Sequence, residues 1–145
     1  MASIYTVDAS VFLNAFNPHE AGQETSQRLL ARFQEKSVPL IVPTLVLPEV
    51  SAAISRGRGD AGLARQFALA LGRLPHLVWV PVDLARQASE TAAQPLLGGA
   101  DAIYVAVALR FGSTLITLDR EQWQRTAGIV PVCSPTEALA AWGGR

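Results

Sequence analysis

Cysteine occurs once in this chain, at Cys133, which excludes an internal disulfide and any metal site built on several thiolates. Cys133 reads as a small core residue near a strand end. Histidine occurs twice, at His19 and His76, and both read as surface positions. Ser10, Thr117 and Cys133 have no histidine partner, so none is a convincing nucleophile. No run is long and apolar enough to span a bilayer: the most apolar stretch, 38–50, is broken by Pro39, Pro43 and Pro48 and contains Glu49. The start of the chain lacks the basic and apolar regions of a secretory leader. The expectation is a soluble protein in a reducing cytoplasm. There is no P-loop or Gly-x-Gly-x-x-Gly pattern, and Gly98-Gly99 alone is too weak to name a phosphate cradle. No repeat, linker or low-complexity tract is visible. Lysine is scarce too, since eleven of the twelve basic residues are arginine. That bias suits bidentate phosphate contacts, and a GC-rich coding sequence would produce it equally well.

What remains is 145 residues, half of them hydrophobic, a length that suits one domain with one core over 1–145. The central stretch, 98–120, reads as loop, helix, glycine stop, strand and acid. Ala102, Ile103, Ala106 and Val107 keep a helical period, Arg110 falls in the last turn, and Gly112 suits the position just past the helix end. Strands are predicted at 4–7, 40–42, 77–80, 114–118 and 129–132. Helices are predicted at 11–16, from Asn17 to about Lys36, and from a Thr44 cap to 56–59. Further ones run from Asp60 through Leu63, Phe67, Leu71 and Leu74, from Asp83 to Ala93, over 120–126, and from Ser134 to Trp142. Asn17-Pro18-His19-Glu20 and Ser134-Pro135-Thr136-Glu137 both carry the cap, proline and glutamate of a helix start. Ser10 is available to cap the first helix. Trp79 is expected in the core, and Trp123 and Trp142 in the core or at a dimer face. Alternating strands and helices predict an α/β domain with a parallel sheet covered by helices on both faces.

Four acids stand out against this background. Asp8 ends the first predicted strand, Asp101 lies in the first turn of the central helix, and Asp119 follows the fourth strand. Glu49 sits in Leu45-Val46-Leu47-Pro48-Glu49-Val50, too apolar a setting for a routine surface acid. Each has a local alternative: Asp8 and Asp119 as helix caps, Asp101 as a helix-dipole residue, Glu49 in an ion pair. Glu121 reads as a solvated helix residue. A doubly wound sheet brings strand ends and the following helix starts to one edge, where such folds bind ligands. Carboxylates about 4 Å apart repel by roughly 4 kcal/mol per pair at an effective dielectric near 20. A hard divalent cation relieves that repulsion, and oxygen donors without histidine or cysteine suit Mg²⁺ or Mn²⁺ rather than Zn²⁺. With four of twelve acids so engaged, twelve basic residues face eight acids, leaving the remaining surface near +4. One or two such ions can activate water against a phosphodiester. Ser10 and Thr117 can orient a carboxylate or bind metal water, or simply cap the backbone.

Thr6-Val7-Asp8-Ala9-Ser10-Val11-Phe12-Leu13-Asn14, Leu47-Pro48-Glu49-Val50, Gly99-Ala100-Asp101-Ala102-Ile103-Tyr104-Val105-Ala106-Val107-Ala108 and Leu115-Ile116-Thr117-Leu118-Asp119 follow in that order. In these segments, their spacing and its total length, the chain resembles the PIN domain family, and within it the VapC-type toxin ribonucleases of bacterial type II toxin–antitoxin pairs. The resemblance implies a five-stranded parallel sheet of order 3-2-1-4-5 and a Mg²⁺ or Mn²⁺ site formed by Asp8, Glu49, Asp101 and Asp119, with Ser10 and Thr117 close by. It implies metal-dependent endonucleolytic cleavage of single-stranded RNA, a homodimer, and inhibition by a small antitoxin. Arg56, Arg58, Arg65, Arg73 and Arg86 are candidate phosphate contacts. Two other readings stand beside this one. A phosphotransfer enzyme would need a second acid two residues after Asp8, where Ser10 stands. A catalytically vestigial PIN module would act only through its antitoxin or a DNA-bound complex.

Overall fold

The computed structural model describes residues 4–35, 38–73, 77–93 and 97–142. Strands and helices alternate along them: β1 (Tyr5–Val7), α1 (Ala9–Phe16), α2 (Gln23–Glu35), β2 (Val42–Pro43), α3 (Val46–Arg58), α4 (Ala61–Leu71), β3 (Leu77–Val78), α5 (Val82–Ala93), α6 (Gly99–Phe111), β4 (Thr114–Ile116), α7 (Arg120–Thr126), β5 (Val132–Cys133) and α8 (Pro135–Ala141). Every strand pair is parallel. β4 lies between β1 and β5, with Thr6 opposite Leu115 and Leu115 opposite Val132.

The expected five-stranded sheet is corrected by this arrangement. There is a three-stranded sheet, β1-β4-β5, and a two-stranded sheet, β2-β3. A single bridge between Tyr5 and Leu40 sets the chain entering β2 beside β1. There Tyr5 N donates to Pro39 O at 3.0 Å and Ile41 N donates to Tyr5 O at 2.8 Å. The ladder goes no further because Pro39 and Pro43, on either side, have no N–H to give.

Other expectations are corrected for similar local reasons. The third strand stops at Val78, and Trp79 is 72% exposed rather than in the core, where the chain turns off toward Pro81. Asn17-Pro18-His19-Glu20 forms a turn, not a helix start. Asn17 closes α1, and α2 begins only after Gly22, at φ 84°. Glu20 is drawn off by Asn14, whose Nδ2 donates to its Oε1 at 2.9 Å, so it does not close a capping box. Asp8, not Ser10, caps α1, and Thr44 makes no side-chain cap for α3. Asp83 lies inside the first turn of α5 and pairs with Arg110 at 2.9 Å. Lys36, Leu74, His76 and Gln94 lie outside the described residues.

The core has two layers. Val7, Phe12, Leu29, Val46, Val50 and Ile116 belong to one, and Leu84, Val105, Ala106, Leu115 and Val130 to the other. Leu115 and Ile116 are adjacent yet fall in different layers, because successive strand side chains point to opposite faces. Helices therefore cover both faces, as expected. Trp142 packs edge-on against Tyr5 and Phe33, with ring centroids 5.3 and 5.2 Å away, and its Nε1 donates to the Tyr5 hydroxyl. α6 is buried at Ala102 and from Tyr104 through Ala108, and it ends at Gly112 with φ 62°. This buried helix fixes Asp101 at one end of the sheet.

Candidate active site

Asp8 is held where β1 ends. Its N–H donates to Ile116 O at 3.0 Å, locking the end of β1 to the end of β4. Its Oδ2 accepts from Ser10 N and from the Thr117 hydroxyl, each at 3.2 Å. Asp8 is buried, and burial pushes its carboxyl above the ordinary carboxylate range although the Ser10 and Thr117 hydrogen bonds pull it down. Thr117, also buried, accepts from Asp119 N at 3.0 Å. Ser10 Oγ accepts from Leu118 N at 3.0 Å and lies 3.4 Å from Thr117 Oγ1. Ser10 and Thr117 thus tie the acid after β1 to the loop after β4.

Glu49 stands in the first turn of α3, half-buried. The hydroxyl of Tyr104, a fully buried residue of α6, donates to its Oε1 at 2.8 Å. Burial raises the Glu49 carboxyl, the Tyr104 bond opposes this, and the charges of Asp8 and Asp101 raise it further. Asp101, in the first turn of α6, is pushed up to about 6 by burial and by the negative charges of Asp8 and Asp119, with Arg125 pulling the other way. Asp119 is exposed and caps α7, its Oδ1 accepting from Glu121 N at 2.9 Å and Gln122 N at 3.2 Å. Asp8, Glu49 and Asp119 therefore all bear on Asp101 or on each other. As the side chains stand, no three histidine, cysteine or acidic side chains among the described residues close around a point that could hold an ion. The acids share one electrostatic field without forming a closed coordination shell. The donor set still fits a hard divalent cation: it is all oxygen, burial raises three of the four acids, and the charges of neighbouring acids raise Glu49 and Asp101 further.

Two residues of this cluster escaped the sequence reading. Tyr104 looks like one more apolar position of a buried helix, and only the fold reveals its hydroxyl on Glu49. Gln122, three residues after the Asp119 cap, occupies the capping-box glutamine position. Its side chain turns inward instead, with Oε1 2.7 Å from Thr117 Oγ1 and Nε2 a buried donor without a partner. Rotating the amide would let it donate to Thr117 and free the Thr117 hydrogen for Asp8. The expected arginines are less involved. Arg56, Arg58, Arg65, Arg73 and Arg86 are all exposed, and Arg58 lies over the Phe16 ring at 5.7 Å. The cation whose field reaches Asp101 is Arg125. His19 is exposed, as expected. The Cys133 thiol is pushed up to about 11 by burial and the Glu137 charge, which leaves it protonated and unreactive at neutral pH.

The sequence matches the family model for the PIN domain over residues 5–129. The comparison with curated proteins gave no match. Among solved structures, the chain is similar to VapC20 of Mycobacterium tuberculosis, described as a sarcin–ricin loop cleaving toxin. That likeness has 25% identity and a TM-score of 0.71, and covers 87% of this chain and 96% of that one. It is also similar to PAE2754 of Pyrobaculum aerophilum, with 21% identity and a TM-score of 0.71 over the whole of both chains. VapBC2 of Rickettsia felis, solved with a DNA fragment from its promoter, gives 14% identity and a TM-score of 0.68, covering 90% of this chain and 98% of that one. The last two likenesses are of fold alone.

Proposed function

Because this chain belongs to the PIN domain family, we propose that it is a divalent-metal-dependent endoribonuclease that cleaves single-stranded RNA, and that it is the toxin of a toxin–antitoxin pair. The observation that carries this reading is the mutual proximity of the acids: burial and the charges of Asp8 and Asp119 raise Asp101 to about 6, and the charges of Asp8 and Asp101 act on Glu49. The likeness to VapC20, a sarcin–ricin loop cleaving toxin, supports the substrate class. In this reading residues 1–145 form a single PIN domain, and the four acids hold one or two Mg²⁺ or Mn²⁺ ions. A bound divalent cation neutralises phosphodiester charge and acidifies a water molecule.

The chain's own residues do the rest. Ser10 N and the Thr117 hydroxyl orient the Asp8 carboxylate, and the Tyr104 hydroxyl orients Glu49. With four acids facing one edge, phosphate approaches only when their charge is neutralised. The Ser10 and Thr117 hydroxyls of the cluster are engaged in holding Asp8 and the loop after β4, so in this reading the attacking group is water. A small antitoxin and a second copy of the chain are the protein partners in this reading. In this reading the protein works in the cytoplasm; no helix among the described residues is long and apolar enough to cross a membrane.

The test is cleavage of single-stranded RNA by purified protein with Mg²⁺, Mn²⁺ or EDTA, beside an Asp101→Asn variant prepared identically. Metal-dependent cutting by the parent alone is the expected result. Equal cutting by both would assign the activity to a contaminant. Metal binding without cleavage of any RNA would favour a module that acts only through its partners.

A further inference from the structure

Beside the acidic cluster lies a hollow of about 280 Å³ lined by Leu118, Asp119, Arg120, Trp123 and Gln124. We propose that it is a nucleobase subsite, in which Trp123 stacks a base of the single-stranded RNA next to the phosphate that the acids address. This deepens the nuclease reading and rests on it. Position is the first argument. Leu118 and Asp119 join β4 to α7, and Asp119 is one of the acids whose charge acts on Asp101. Whatever fills the hollow is therefore a neighbour of the cluster.

Chemistry is the second argument. Unstacked RNA bases are held on aromatic rings and arginine planes and read along their polar edges. The hollow offers a half-buried indole beside Leu118, which is left 42% exposed. Gln124 supplies an exposed amide with both donor and acceptor, the pair of groups that a base edge can meet. Arg120 supplies an exposed guanidinium in no ion pair among the described residues, whereas Arg125 on the same helix is 3.8 Å from Glu121. A free cation next to an aromatic wall complements an anionic chain with planar bases. At 280 Å³ the hollow lies just below the usual range for small-molecule pockets of about 300–1,000 Å³, and so suits one ring system better than a docked peptide helix.

The experiment uses the full-length chain with Ca²⁺ in place of Mg²⁺ or Mn²⁺, a hard cation that oxygen donors hold, checks on a gel that the RNA stays intact, and follows anisotropy of short fluorescent single-stranded oligoribonucleotides. Trp123→Ala is expected to weaken binding by about 5- to 150-fold, the range for loss of one stacked base. Trp123→Phe is expected to restore most of it, and thermal melts of both variants check folding. A series with one abasic nucleotide moved along the oligomer locates the base. At one position the abasic change weakens the parent by a similar factor and leaves the Trp123→Ala variant unaffected. Binding by Trp123→Ala within twofold of the parent, or additive losses at every abasic position, would overturn the subsite while leaving the nuclease reading intact. A parent that binds no single-stranded RNA would overturn both. Unchanged RNA affinity with an altered oligomeric state in Trp123→Ala would reassign the hollow to contact between copies.

Discussion

At the scale of single residues, the acids near Asp101 make the site a source of instability until a cation arrives. The sign follows from linkage. Asp101 titrates near 6 in the folded chain against an ordinary value of 3.8, so between those values the folded state holds more protons than the unfolded one. Its contribution therefore falls as pH rises from about 4 to 6 and stays low above that. In metal-free protein Asp101→Asn is expected to raise the melting temperature at pH 7, with the difference from the parent vanishing near pH 4; paired melts across this range measure it. An unchanged or lowered melting temperature at pH 7 would contradict the combined burial and repulsion that raise Asp101. Tyr104→Phe removes the hydroxyl on Glu49, a hydrogen bond to a charged group worth about 1.5–3 kcal/mol. Mn²⁺ affinity by calorimetry is expected to fall in that variant while the fold, checked by circular dichroism, stays intact.

Helix ends are where structure and chemistry share residues. Asp119 both caps α7 and acts on Asp101, and its two roles separate by substitution. Asparagine caps about as well as aspartate, whereas alanine loses about 1 kcal/mol. Asp119→Asn is thus expected to melt like the parent but cut RNA poorly, and Asp119→Ala to melt a few degrees lower and cut poorly as well. Restored activity in the asparagine variant would reduce Asp119 to a cap. At the far end of α6, Gly112 takes φ 62°, and a Cβ there would meet nothing within 4 Å. The penalty of Gly112→Ala is then backbone conformation alone, about 1–2 kcal/mol. A lower melting temperature with unchanged Mn²⁺ affinity is the expected result.

On the scale of the whole molecule, a cation that binds only the folded chain stabilises it by mass action, by about 2.7 kcal/mol at a hundredfold excess over Kd. Titrating Mg²⁺ or Mn²⁺ into the metal-free parent is expected to raise its melting temperature steadily, and EDTA to reverse the rise. The same titration on Asp101→Asn should be nearly flat. Charge distribution sets RNA affinity at this scale also. Arg56, Arg58, Arg65, Arg73 and Arg86 are spread over α3, α4, α5 and the turn after α4, and all are exposed. If they contact phosphates together, log affinity falls with log salt at about −0.7 per phosphate neutralised. A flat salt response would remove them from the interface.

Much of this was legible from neighbouring residues. The Asp60 cap, the Ser134–Glu137 capping box and the Gly112 stop depend on atoms within about one helical turn, so the letters suffice for them. The same locality deceives at Asn17-Pro18-His19-Glu20, where Asn14 from the preceding helix takes Glu20 first. The four acids stand at the ends of strands or in the first turns of helices, and parallel topology sends those positions to one edge. That their charges act on one another was therefore foreseeable. How they are held was not. The Thr117–Asp8 bond spans 109 residues and the Tyr104–Glu49 bond spans 55, so each exists only once two distant elements pack at one register. The sheet divides because Tyr5 meets Leu40 between two prolines, and Trp79 faces solvent because its strand ends one residue before it. Hydrophobicity and period reveal which elements form; only packing decides where each one stops and which side chains meet.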